Sequence, residues 1–300
     1  MTSPDTRAAP VLVAVDFSPH SRHAAQRARH FAQQQCLTLH LLHVLPDHSL
    51  AQLRQWLGVG HEAEARLRDE ARAHLATLAA ELPPDGPAPG KLLATGAPVD
   101  EILRQADALD AALLVLGARG TGYLRRLVLG STVERLLRRT RRPLLVVRQT
   151  PHEPYRRVLV AVDFSPWSAA AVMLARQLAP QAALLVASVF QVPFEEKLRF
   201  AGVDAATIEG YRQRARAETT QRLHALVATA GLAPSQWEPC VLEGDASLRL
   251  VELEQERDCD LVVLGKHGVS AAVDLLLGST TKHVLAEGSV DVLVSTACDG

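Results

Sequence analysis

Two stretches of the chain carry residues whose types and spacing could do chemistry. LGARGTGYLRRLVLGST spans residues 116–132, and LGKHGVSAAVDLLLGST spans 264–280. Each reads G-x-x-G, nine further residues, then G-S-T. The first holds Gly117, Gly120, Gly130, Ser131 and Thr132; the second holds Gly265, Gly268, Gly278, Ser279 and Thr280. A glycine pair just after an apolar run frees the backbone and lets a ligand approach where a Cβ would stand. A helix opening at G-S-T presents free N–H groups and the positive end of its dipole, which suits a phosphate. Successive N–H groups in the turn can add an anion nest. The plainer alternative is that the glycines only make turns. In that reading Ser131 and Glu134, spaced S-x-x-E, close a capping box without any ligand.

The second kind of candidate is a carboxylate. VLVAVDFSPHS (11–21) recurs as VLVAVDFSPWS (158–168), identical at ten of eleven positions, and DAALLVLG (110–117) recurs as DCDLVVLG (258–265). The offsets, 147 and 148, identify a tandem duplication of one domain of about 145 residues. Asp16 and Asp163 follow the first apolar run of each half. A carboxylate there can accept from an amine or a sugar hydroxyl. It can equally serve an Asx-turn or a helix cap.

These residues need elements that hold them. Apolar, β-branched runs predict strands at 11–16, 37–45, 91–95, 111–117 and 143–148. Ser18-Pro19 opens a predicted helix through 34, with further helices at 62–81, 98–106 and 131–139. The second half repeats the strands near 158–163, 183–190, 239–243, 260–265 and 291–295. Strands alternating with helices imply an α/β class, here two tandem doubly wound domains, each a five-stranded parallel sheet flanked by helices. The expected domains are 1–148 and 158–300, with the proline-bearing stretch 149–157 as linker. Such sheets bind ligands outside the carboxyl ends of the strands, where strand order reverses.

Composition narrows the functional classes. Hydrophobic residues at 48% and charged residues at 22% describe a globular chain rather than a disordered one. A net charge of −1 argues against a nucleic-acid binder overall. The basic run RLLRRTRR (135–142) lacks interleaved aromatics, so it reads as a solvated helix face or a partner surface. Cys36, Cys240, Cys259 and Cys298 form no C-x-x-C pair and are expected to be ordinary thiols. The His20/His23 and His40/His43 pairs lack further ligands at metal spacing, so no metal site is expected. No window approaches the roughly 20 apolar residues of a membrane span. The first ten residues carry no apolar stretch either, so a cytoplasmic location is expected. Neither a Walker loop nor a G-x-G-x-x-G after the first strand is present.

Taken together, the chain resembles a tandem universal stress protein, with two UspA-type domains of the nucleotide-binding branch. The resemblance rests on the paired VLVAVDFSP starts, the two glycine patterns, the closing runs PLLVVR and DVLVS, and FQVPFEEKLRFAGV in the second half. It implies an adenine nucleotide alpha hydrolase-like fold and binding of ATP with Mg. By that likeness Asp16 and the backbone of Val44 hold adenine, Gly117 and Gly120 approach the ribose and phosphates, and Gly130, Ser131 and Thr132 cradle the phosphates. Ala14, Val15, Leu116 and Arg119 are expected to complete the nucleotide-binding set. The second-half counterparts are Ala161, Val162, Asp163, Val189, Leu264, Gly265, Gly268, Gly278, Ser279 and Thr280. The family also implies dimerisation through the last strand, which a tandem chain could satisfy within itself as a pseudo-dimer, with further homodimerisation open.

The halves differ in charge. Residues 117–148 carry nine arginines against one glutamate, a formal +8, whereas 265–296 sum to −1. Asp274 stands where the first half has Arg126, and Ser279 is followed three residues on by Lys282, so the second half lacks the capping-box pattern. A negative charge near a triphosphate lowers affinity. The first half is therefore expected to bind nucleotide more firmly, so Gly120→Val should remove more of the total binding than Gly268→Val. Three classes of function remain: a nucleotide-binding stress or regulatory module, an enzyme such as a slow ATPase, and a ligand-free scaffold. The sequence assigns no base for an attacking water and singles out no arginine finger, which favours the first.

Overall fold

Val11, Leu12 and Val13 have no exposed surface, and Val158, Leu159 and Val160 repeat this. A strand apolar on both faces belongs in the middle of a parallel sheet covered by helices. A computed structural model, describing residues 9–47, 61–118, 130–151, 153–192, 195–268 and 277–296, places both runs there. The chain divides into two units, Met1–Pro154 and Tyr155–Gly300.

In the first unit the elements are β1 (Val11–Ala14), α1 (Pro19–Gln34), β2 (Leu39–Leu45), α2 (His61–Glu81), β3 (Gly90–Thr95), α3 (Pro98–Ala108), β4 (Leu113–Gly117), α4 (Ser131–Arg139) and β5 (Leu144–Val147). The strands lie in the order β3-β2-β1-β4-β5, all parallel. The second unit runs β6 (Arg157–Ala161), α5 (Ser168–Leu178), β7 (Ala183–Phe190), α6 (Glu195–Phe200), α7 (Ala205–Thr229), a 3-10 turn at Pro234–Gln236, β8 (Trp237–Glu243), α8 (Ala246–Glu256), β9 (Leu261–Gly265), α9 (Ser279–Glu287) and β10 (Asp291–Ser295). Its order, β8-β7-β6-β9-β10, is the same, again all parallel. In each unit the chain steps outward from the first strand, then crosses to its other side. The strand order therefore reverses between β1 and β4, and between β6 and β9.

Local chemistry explains the boundaries. Ser18 caps α1 by accepting from Ser21 N at 3.2 Å, and Pro19 occupies the first turn. The helix stops at Cys36, which takes a left-handed φ of 54°. Asp100 and Glu101 stand in the first turn of α3, where negative charge suits the dipole. Asp245 caps α8 by accepting from Ser247 N at 2.8 Å and Leu248 N at 3.2 Å. The residues entering β4 and β9 both turn left-handed, Asp110 at φ 50° and Asp258 at 45°. The one helix that starts late is α5. Pro166 and Trp167 form a turn closed by Ser168 N on Ser165 O at 3.0 Å, so the helix begins two residues further on than in the first unit. Among the described residues no helix is long and apolar enough to cross a membrane.

Candidate functional site

The strands β1 and β6 end two residues before the aspartates. The chain leaves the sheet there because Phe17 and Phe164 both take φ 63°. A bulky side chain in the left-handed region costs of order 1–3 kcal/mol and persists only where its surroundings hold it. Here the aspartates do the holding. Asp16 Oδ1 accepts from Ser18 N at 3.1 Å, and Asp163 Oδ1 accepts from Ser165 N at 3.0 Å, so both close Asx-turns. The serine ending each repeat locks the turn from beyond: Ser21 Oγ accepts from Asp16 N at 3.3 Å, and Ser168 Oγ from Asp163 N at 3.2 Å. Ser168 Oγ also donates to Asp163 Oδ1 at 3.0 Å.

Around the strained phenylalanines the units diverge. The Phe17 ring lies 4.4 Å from the His43 ring on β2 and 5.1 Å from His74 on α2. His43 Nδ1 stands 2.8 Å from Val15 O, an acceptor, so that nitrogen carries the proton. Burial holds the His43 pKa below its usual value, against the upward pull of the Val15 bond and Asp16, and His74 adds to the depression. In the second unit Arg222 on α7 lies over Phe164 at 4.1 Å, and the register places buried Ser188 where β2 has His43. Neither cluster was foreseen from the sequence. The only local signal was a bulky residue between Asp and Ser-Pro in both repeats.

The glycines separate into distinct roles. A Cβ on Gly117 would stand 2.7 Å from the backbone carbon of His20, and one on Gly265 would stand 3.0 Å from Trp167 Cβ. Close helix-on-strand packing thus accounts for both positions. Gly268 is different: its Cβ would meet Asp163 Oδ2 at 2.8 Å. The turn after β9 therefore closes over the aspartate that ends the first strand's turn. Gly278 lies beside it, with Gly268 N 3.8 Å from where its Cβ would be. Asp163, Gly268 and Gly278 come together at the carboxyl edge where strand order reverses. Arg119 and Gly120 lie outside the described residues.

Both G-S-T segments are tied back to the sheet in the same way. Gly130 N donates to Ala118 O and Gly278 N to Lys266 O, each at 3.1 Å. Ala118 N and Lys266 N in turn donate to the last strand of their units, to Val147 O and Ser295 O, each at 2.8 Å. The capping box expected from Ser131 and Glu134 does not form. Gly130 and Gly278 are the cap residues, and neither α4 nor α9 has a side-chain cap bond. Ser131 is the first helical residue, so the S-x-x-E spacing sits one position too far along. Glu134 pairs instead with Arg138 at 2.6 Å. Among the described residues the first N–H groups of both helices have no side-chain acceptor, while exposed Ser131 and Ser279 stand at their tips.

Electrostatics temper the expected asymmetry. Arg139 pairs with Asp100 at 2.6 Å, and Arg142 with Asp110 at 2.6 Å and Asp107 at 3.7 Å. The carboxylates of α3 and of the turn after it thus neutralise much of the basic run from outside residues 117–148. In the second unit Lys266 and His267 are buried beside the site, and the His267 ring lies 5.2 Å from Trp167. His267 Nδ1 is buried and has no hydrogen-bond partner among the described residues. Of the other expected site residues, Val44 is buried and Val189 half-buried near the carboxyl ends of β2 and β7. Ala14, Val15 and Leu116, with Ala161, Val162 and Leu264, line the strand ends beside them. Among the described residues no cluster of three or more His, Cys, Asp or Glu could hold a metal. His20 and His23 meet only edge to face, 6.4 Å apart. Cys36, Cys240 and Cys259 are free thiols, and burial pushes Cys259 up to about 11.

The family model described as "Universal stress protein family" matches residues 9–148 and again 154–295. Universal stress protein MT2052 of Mycobacterium tuberculosis (strain CDC 1551 / Oshkosh) is 26% identical over 316 residues, covering 95% of this chain and 94% of that one. Universal stress protein Rv2005c of Mycobacterium tuberculosis (strain ATCC 25618 / H37Rv) is 28% identical over 190 residues, and the match spans only 62% of each chain. Among solved structures, a universal stress protein from Archaeoglobus fulgidus DSM 4304 superposes with a TM-score of 0.67 at 18% identity over 97% of both chains, which bears on the fold alone.

Proposed function

The chain belongs to the universal stress protein family, in two tandem domains, and from that premise and the geometry of its two sites we propose that it is an adenine-nucleotide-binding module of stress response or regulation. One observation carries the reading. In both units the helix after the glycine segment starts on a glycine cap, without a side-chain acceptor for its first N–H groups, at the edge where strand order reverses. That donor set suits phosphate oxygens. The close approach of the Gly268 turn to Asp163, which a Cβ at 2.8 Å from Oδ2 would forbid, is a second mark of fit.

In this reading Gly130, Ser131 and Thr132 hold the phosphates in the first unit, and Gly278, Ser279 and Thr280 in the second. Asp16 and Asp163, fixed by their Asx-turns, present a carboxylate toward the base or sugar, with the backbone of Val44 or Val189 beside it. A bound nucleotide with Mg would supply a polyanion, which the helix starts at Ser131 and Ser279 would hold beside the Asp16 and Asp163 turns. The output is conformation, read by a partner, rather than turnover. The domain limits 1–148 and 158–300, a cytoplasmic location and pairing of the halves within the chain belong to the same reading and rest on the resemblance.

The test is to release bound ligand from natively purified protein with acid, identify it by chromatography and count it per chain. One or two adenine nucleotides per chain is the expected result. A protein that is empty, and that also ignores added ATP and Mg, would overturn the reading and leave the glycines as turns.

A further inference from the structure

Arg29 on α1 and Arg176 on α5 occupy the same place in their units, each thirteen residues after the aspartate of the first turn. Their surroundings differ. Arg29 is 2% exposed, and its guanidinium donates to three backbone carbonyls of the connection between α2 and β3. Nε reaches Pro83 O at 3.0 Å, Nη1 reaches Pro87 O at 2.7 Å, and Nη2 reaches Asp85 O at 2.6 Å. Gln33 Nε2 adds a second donor to Asp85 O at 2.5 Å. The acceptors are alternate residues of LPPDGPAPG (82–90), a proline-rich strap gathered carbonyl by carbonyl under one planar fork.

The corresponding connection in the second unit, residues 230–236, takes another path. It folds on itself through the 3-10 turn, where Gln236 N donates to Ala233 O at 3.0 Å and Gln236 Oε1 accepts from Ala233 N at 2.8 Å. None of its carbonyls reaches Arg176, which has no hydrogen-bond or ion-pair partner among the described residues. A cavity of about 800 Å³ opens there instead, at the starts of β6, β7 and β8, lined among others by Arg157, Arg176, Gln236, Trp237 and Arg257. That volume falls within the usual range of ligand sites.

We propose that this groove docks an extended, proline-containing peptide segment, with Arg176 receiving its backbone carbonyls and Trp237 packing against its prolines. Three observations carry this. The first unit supplies the template, because the same arginine position there already holds such a segment. The pairing of Leu184 with Trp237, against that of His40 with Gly90, sets Trp237 at the position held by Pro89 in the first unit, so an aromatic wall replaces the strap's own proline. Aromatic-lined grooves are a general way to read proline-rich extended chains. Finally, the lining is not built for a polyanion. Arg257 is paired with Glu238 at 2.6 Å and Arg157 with Asp258 at 3.5 Å, which leaves Arg176 to bind neutral, carbonyl-bearing ligand.

The experiment uses the full chain and a fluorescein-labelled peptide of sequence LPPDGPAPG, followed by anisotropy at constant ionic strength. Saturable binding is expected, weakened at least tenfold by Arg176→Ala and also weakened by Arg176→Lys, since an ammonium lacks the fork. Trp237→Ala tests the opposite wall and should weaken binding as well, so the outcome does not hang on one variant. Thermal melts of the Arg176 variants should match the parent, because the side chain has no partner to lose. Absence of saturable binding overturns the proposal, as does equal affinity for Arg176→Ala. Displacement of the peptide by inorganic phosphate, but not by chloride, would also overturn it by marking an anion site.

Discussion

Asp163 and Gly268 stand so close that a Cβ on the glycine would lie 2.8 Å from the carboxylate Oδ2. The carboxylate cannot simply swing aside, because Ser165 N and Ser168 Oγ both hold its other oxygen at 3.0 Å. The contact joins two segments more than a hundred residues apart in the chain into one surface. Gly268→Ala should therefore displace the turn from the aspartate. The expected result is a loss of nucleotide affinity in the second unit of about tenfold or more, worth ~1.4 kcal/mol. The fold should be kept, with an overpacking cost of about 1–3 kcal/mol. Calorimetric titration of the variant checks it, and unchanged affinity would show that the glycine serves only the turn.

Gly278 makes the opposite experiment. Among the described residues a Cβ there meets nothing closer than 3.6 Å, so a serine fits. As the cap residue of α9 it would offer its hydroxyl to the N–H groups now left without a side-chain acceptor. Gly278→Ser should raise stability slightly, by a few tenths of a kcal/mol. It should also weaken nucleotide binding, because the hydroxyl competes for the same donors. A denaturant titration and a binding isotherm on one preparation test the trade-off. A variant that gains stability and binds as before would show that those N–H groups are not the phosphate site.

Arg29→Ala in the first unit removes four atoms' worth of fork and three bonds to the 82–90 strap. Hydrogen bonds to a charged group are worth about 1.5–3 kcal/mol each when buried, though exposed carbonyls recover part from water. A net destabilisation on the order of 2–4 kcal/mol is expected. Faster proteolytic cutting between Pro83 and Pro89 should accompany it. Arg176→Ala, with no partner to lose, should leave stability within about 0.5 kcal/mol. Equal losses in the two variants would mean the clamp contributes nothing particular to the first unit.

Stability should fall with acid. Burial holds His30, His40 and His43 below the usual 6.5, and the charge of Arg27 adds to the depression at His30. All three lie in the first unit. A depressed folded-state pKa means that the unfolded chain takes up protons first, so each group favours unfolding as pH drops through 6.5 toward its lower folded value. The stability they allow is fully present above 6.5 and is lost as pH falls through that window. Urea midpoints measured from about pH 8 to about pH 5.5 should be flat at first and then fall. A midpoint that rose toward acid would contradict the burial of these rings.

The doubly wound class, the short apolar strands and the start of α1 were legible in the sequence because their causes are local, whereas the strand order of each unit is set by tertiary pairing. β-Branched runs make buried strands, Ser18-Pro19 starts a helix, and a duplicated pattern doubles every inference. The capping box, offered as the alternative reading, fails by one residue, since spacing alone does not say which residue is the cap. The helix start expected at Ser131 leaves Gly130 as the cap. Gly117 and Gly268 look alike in the sequence, both small and both beside an apolar run. Packing separates them: one is pressed against the backbone of His20, the other lies over Asp163.

The strained Phe17 and Phe164, the His43–Phe17–His74 cluster and the Arg222–Phe164 pair depend on partners from distant elements, which no local pattern announces. The same holds for Arg29 and Arg176. The sequence determined that one domain is written twice, with an aspartate turn and a glycine segment in each copy, because near-neighbour chemistry sets turns and periods. The tertiary structure alone decided that one copy folds a proline strap over its arginine while the other leaves a groove, because that choice is made by long-range packing.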